Sequence, residues 1–172
     1  MGTRRVLVML AAALMLSGLC SGVSAQAGKS SRTAEVQVYF PKEGDSADGT
    51  NNPWNLQPVT RRVTAAAPLR PAIEALLKGP TRQEQQQGFG ALDAKGLYVV
   101  KVAVKGGTAY ASFAHRKSWP GWSGDLSPFS FGDAVARTMK QFPHVRHTVV
   151  CVDGVTNFGD ESGGPDKPCP KF

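Results

Sequence analysis

The chain reads as an α+β fold: a largely antiparallel sheet of about five strands with two main helices packed on one face. Three observations predict it. Period-two alternation marks strands at Glu35–Phe40 and through Gly96–Ala114. Apolar residues recurring at helical spacing mark helices over Leu69–Leu77 and Phe129–Phe142. The order strand, strand, helix, short helix, hairpin, helix, strand mixes the two types without regular βα alternation, the pattern of helices segregated onto a sheet.

In the first strand Val36, Val38 and Phe40 share one face. Lys42–Asn55, rich in Gly, Asp and Asn, forms a loop that Trp54 and Leu56 are expected to pin against the body. Asp45, Asp48, Asn51 and Asn52 within it lack the ligand spacing of a calcium loop, so it reads as solvated. Gln57–Thr64 is the second strand. Pro68 and Pro71 open the first helix, where Leu69, Ala72, Ile73, Leu76 and Leu77 form one apolar stripe and Arg70, Glu74 and Lys78 face water. Glu74 and Lys78 stand at pairing distance on that outer face. Gly79-Pro80 ends the helix, and Thr81 with Glu84 has the spacing of a capping box that starts a short one.

Gly106-Gly107 joins Gly96–Lys105 to Thr108–Ala114 in a hairpin, because glycine tolerates the positive φ of a tight turn. Its inward face is expected to hold Val100, Val102 and Val104 against Ala109, Ala111 and Phe113. Phe131, Ala134, Val135, Thr138, Met139 and Phe142 repeat toward the core in the second main helix, which Pro143 stops. His144–Asp153 is the last strand, with apolar residues on both faces, and Asp153-Gly154 turns the chain. Phe158 is expected still to pack.

Residues 1–25 have the layout of a signal peptide: Arg4 and Arg5, an apolar run from Val6 to Leu16, and a small-residue cleavage site at Val23-Ser24-Ala25. The run is too short for a permanent transmembrane segment, so general export to a periplasmic, extracytoplasmic or secreted location is expected. A lipoprotein anchored at Cys20 is the weaker reading, because Leu19 stands where a small residue normally precedes the modified cysteine. Residues 26–34 then form a flexible leader, residues 35–158 the domain and residues 159–172 a C-terminal tail. Cleavage removes two arginines and no acids, taking the formal charge from +7 to +5. The remaining basic residues are dispersed, and no motif with stacking aromatics accompanies them, so nucleic acid is not an expected partner. Weak attraction to anionic envelope polymers needs no such motif.

Two cysteines remain after cleavage. In an oxidising compartment Cys151 and Cys169 are expected to bond, tying the tail to the last strand.

The segment from His115 to Ser127 is the leading candidate site. It places Trp119 and Trp122 beside Arg116, Lys117 and Asp125, the residue types that a sugar-stacking or partner-binding surface needs. The same tryptophans would equally serve as caps on the core, and both readings stand at this level. Catalytic patterns are missing. Gly121-Trp122-Ser123-Gly124 lacks the glycine spacing of a nucleophile elbow, and His144 and His147 fall on opposite faces of a strand. The acids are scattered, so no carboxylate pair can be assigned from spacing. No catalytic residue, metal or cofactor is therefore expected.

The sequence VQVYFP, then LQPVTRRV, then LLKGPTRQE, the hairpin, and TMKQFPHVRHTVVCVDG resembles a GerMN domain, the module named from spore-germination proteins. VTRR is the most distinctive piece. The resemblance covers nearly all of the chain after the signal and implies a role in envelope or spore assembly and germination. Family members often carry the domain twice, whereas one copy is present here. The expected function is that of an exported, non-enzymatic binding or assembly factor whose partner is an envelope protein or cell-wall glycan, with a cell-wall hydrolase or lyase as the alternative.

Overall fold

The structure, a computed structural model, describes residues 32–43, 55–160 and 162–172. The signal peptide, Cys20, most of the leader, the four candidate calcium ligands and Trp54 lie outside the described residues. Eight elements follow in order: β1 (Thr33–Pro41), β2 (Leu56–Thr64), α1 (Leu69–Leu77), α2 (Arg82–Gln86), β3 (Leu97–Lys105), β4 (Thr108–His115), α3 (Ser127–Lys140) and β5 (His147–Val152). The α+β class and the five strands are as the sequence predicts.

The strands divide into two sheets, β1-β2 and β3-β4-β5. β1 and β2 run antiparallel with Val38 opposite Val59. β3 and β4 are also antiparallel, but β5 lies parallel to β4, with Phe113 opposite Val152. The chain reaches β5 through α3, and a helical crossover of this length is what brings a strand back in the same direction. Helices α1 and α3 touch each other and elements of both sheets, so one core serves the whole domain.

That core joins Val38 and Phe40 of β1, Ile73 and Leu76 of α1, Phe113 of β4 and Phe131, Val135 and Met139 of α3. Every expected inward residue of β1 is buried, as are Ala72, Ile73 and Leu76 of α1. Leu56 is buried at the start of β2. A smaller cluster of Val36, Val63 and Ala72 takes Phe142 from just beyond the end of α3. There Gln141 acts as a substitute strand partner. Its Oε1 accepts the Gln37 N–H and its Nε2 donates to the Gln37 carbonyl, both at 2.7 Å. A single side chain thus satisfies both backbone groups of one β1 residue.

Two local expectations are corrected. The register of β3 shifts between Val99 and Lys101, an irregularity that changes which residues face the core. Leu97 and Val99 are buried instead, Val102 packs at the core's edge, and Val100 and Val104 are 52% and 47% exposed. On α1, Glu74 pairs with Arg70 at 2.8 Å rather than with Lys78, so the favourable four-residue spacing is filled from the N-terminal side. The capping box forms as expected: Glu84 N–H donates to the Thr81 hydroxyl and Thr81 N–H to the Glu84 carboxylate.

The tail is held at more than one point. Cys169 and Cys151 stand at disulfide distance, 2.02 Å between sulfurs. Before them, Thr156 N–H donates to the Lys167 carbonyl, and Asn157 accepts from Lys167 N–H and donates to the Pro165 carbonyl. Beyond them, the Phe172 ring stacks on Tyr110 with centroids 4.8 Å apart.

Candidate functional site

β4 delivers His115 to the mouth of the loop that leads into α3. Its backbone N–H donates to Asp153 Oδ1 at 3.2 Å and its ring Nδ1 donates to Oδ2 at 2.6 Å. Asp153 reaches this position from the turn after β5, where its φ of 50° lies in the left-handed region that a short polar side chain tolerates. The pairing settles the imidazole's orientation and, in the neutral ring, leaves Nε2 as the acceptor.

From there the loop is pinned by aromatic packing. The His115 and Trp119 centroids are 5.1 Å apart, Trp119 meets Trp122 edge-on at 5.2 Å, and Trp122 lies 5.6 Å from Phe131 and 6.0 Å from Phe158. Gly96 makes room for this. A β-carbon there would sit 3.1 Å from the Trp119 β-carbon, and its φ of 105° suits glycine alone. Main-chain bonds from Arg116 to Gly96 and from Trp119 to Arg116 close the turn, and Ser123 N–H donates to the Asp93 carboxylate. The Trp119 indole nitrogen is buried without a partner among the described residues.

The five candidate residues therefore separate by role. Trp119 and Trp122 are half-buried and packed against the main core, which is the capping arrangement. Arg116 and Lys117 are exposed on the same turn, with the Arg116 guanidinium over the Tyr98 ring at 5.8 Å. Asp125 is exposed too, but it lies on the rim of a different feature, a cleft of about 690 Å³ between the start of α3 and the turn at 156–160.

Sequence reading did not find this cleft. Its walls are Pro128 and Phe129 from α3 and Phe158 from the turn, with Asp125, Asp133 and Asp160 around them. Two glycines let the walls approach: a β-carbon on Gly159 would stand 2.8 Å from the Pro128 side chain, and one on Gly132 would stand 3.5 Å from the Phe158 ring. Hydrogen bonds from Ser162 hold the Asp160 carboxyl below its usual value, so it is ionised at neutral pH. Asp133 pairs with Arg137 at 2.9 Å. The only available hint in sequence was a lone aromatic, Phe158, followed by glycine after the last strand.

His144 and His147 are both exposed. Among the described residues no group of three or more His, Cys, Asp and Glu side chains is placed to hold a metal.

The architecture and its elements are those of a GerMN-type module. Residues 37–157 match the family model Germane, described as sporulation and spore germination, and the chain belongs to that family. Its fold is similar to the tandem GerMN domains of the sporulation protein GerM from Bacillus subtilis, with a TM-score of 0.55 and 21% identity over 86% of this chain and 48% of that one. It is also similar to the first GerMN domain of the same protein, with a TM-score of 0.50 and 17% identity over 80% of this chain and 94% of that one. The chain thus spans about half the length of the tandem structure, and the likeness at these identities is one of fold. No curated protein matches it.

Proposed function

We propose that the protein is an exported, non-enzymatic GerMN factor that binds a cell-envelope protein or wall glycan in an assembly or germination process. Family membership supports the process, and the signal-like first 25 residues support export. Among the described residues no helix is long and apolar enough to cross a membrane. One observation carries the binding role. Trp122, wedged on Phe131 and Phe158, and Trp119 edge-on against it hold the exposed Arg116 and Lys117 on a fixed turn. Charges displayed on a rigid loop lose little conformational entropy when a partner engages them.

The test is retention on isolated cell-wall sacculi, with bound envelope proteins identified in parallel. Retention or a dominant partner that is lost in Arg116→Ala/Lys117→Ala, with circular dichroism unchanged, supports the reading. Binding that ignores the substitutions removes this turn from it.

The oriented His115–Asp153 pair favours a second reading, a wall-acting hydrolase or lyase, since a carboxylate-oriented imidazole can serve as a general base. That reading requires turnover of wall fragments that disappears in His115→Ala. No turnover across a substrate panel would remove it.

A further inference from the structure

We infer that the cleft between α3 and the 156–160 turn is a docking site for a lysine or arginine side chain presented by a partner protein. Its apolar walls, Pro128 and the facing Phe158, suit the aliphatic stem of such a side chain. Asp125 on the rim makes no ion pair among the described residues and receives the charged head, with Asp160 ionised on the other wall.

The charge balance supports a cation. Arg137 offsets Asp133, and Lys167 acts on Asp160, which among the described residues leaves Asp125 as the cleft carboxylate without an ion pair. The positive end of α3 opposes a cation, but with only about half a unit charge.

Hydrogen-bonding capacity argues against a neutral glycan in this cleft. Asn157, the wall's amide, is engaged at both ends by Lys167 N–H and the Pro165 carbonyl, and Thr156 N–H is taken by the Lys167 carbonyl. A sugar ring presents hydroxyls that need donors as well as acceptors, and the carboxylates that remain here are acceptors only, which suits a cation carried on an aliphatic stem.

The tail also makes the site preorganised. Residues 165–167 hold the wall at Thr156 and Asn157, and Cys169, two residues on, is joined to Cys151 of β5. The inference rests on the binding role proposed above and gives it a partner chemistry.

Amide chemical shifts of the purified protein, titrated with acetyl-Ala-Arg-Ala-amide and with the same peptide carrying neutral citrulline, provide the test. The arginine peptide should shift the amides of Gly132, Thr156, Asn157, Gly159 and Asp160. Binding should weaken on the order of five- to tenfold with citrulline, and similarly in Asp125→Asn/Asp160→Asn, with an unchanged circular dichroism spectrum as the check that the variant keeps its fold. Reducing the disulfide should weaken it as well. No shift of these amides, or equal binding of citrulline, overturns the inference. Shifts of the same amides on raising protein concentration without peptide would also overturn it, by identifying the occupant as a second copy. Failure here leaves the Arg116→Ala/Lys117→Ala result untouched, because those residues do not line the cleft.

Discussion

The Arg61 guanidinium holds Glu84 through two parallel hydrogen bonds, Nη1 to Oε1 and Nη2 to Oε2, each 2.7 Å long. Arg61 belongs to the VTRR segment of β2 and Glu84 closes the capping box of α2, so one planar contact fastens the short helix to the first sheet. Arg61 also lies over the Phe40 ring, 5.7 Å from its centroid. Both partners are largely shielded, their side chains 18% and 16% exposed, which lifts the pair above the usual weak surface contact.

Arg61→Met should lower unfolding free energy by about 1–3 kcal/mol, because Glu84 keeps its charge and loses its main partner. The Arg61 hydrogen bonds hold the Glu84 carboxyl at about 2, down from 4.5. The native state thus favours the ionised form. Its contribution is complete above pH 4.5 and disappears as pH falls toward 2. Urea unfolding across that interval should show a shallower pH slope in the variant. Equal slopes would mean that the pair is unimportant in solution.

Gln141→Leu should cost about 1–3 kcal/mol by leaving the part-buried Gln37 N–H and carbonyl unpaired. Hydrogen exchange at the Gln37 amide should accelerate more than that of its neighbours in β1. Unchanged protection would show that water replaces the side chain without loss.

Trp122→Ala should lower stability by roughly 2–4 kcal/mol, since it empties the space against Phe131 and Phe158. A thermal midpoint equal to wild type would return Trp122 to the role of a free contact surface.

Cys151→Ala/Cys169→Ala should cost about 3 kcal/mol, the scale expected for a bridge closing a loop of this length. Hydrogen exchange at the Thr156 and Lys167 amides should then accelerate, because their bonds to the Lys167 carbonyl and the Asn157 side chain would no longer be secured. Exchange at the wild-type rate would show that those bonds and the Phe172–Tyr110 stack hold the tail unaided.

Local periodicity and punctuation carried most of the fold. The alternation of Val36, Val38 and Phe40, the stripe from Leu69 to Leu77, and the Thr81–Glu84 box each depend on neighbours in sequence, and each appears where its pattern lies. The site was less legible. The tryptophans and the charges of the loop were visible, but their division into half-buried wedges and exposed contacts depends on Phe131, Phe158 and Gly96, all distant in sequence from at least one tryptophan.

By itself the sequence determined the helix faces and the capping box, which follow from spacing within one segment, and the order of its motifs along the chain carried the element order and the family resemblance. Only the tertiary structure decided the shift at Val100, the Gln141 clasp on Gln37, the parallel return of β5 and the acidic cleft beside Phe158. Each of these arises where surfaces from separate elements must fit at close range. Such fits are set by interatomic distances and by the direction of individual hydrogen bonds, which the spacing of residues along one segment does not encode.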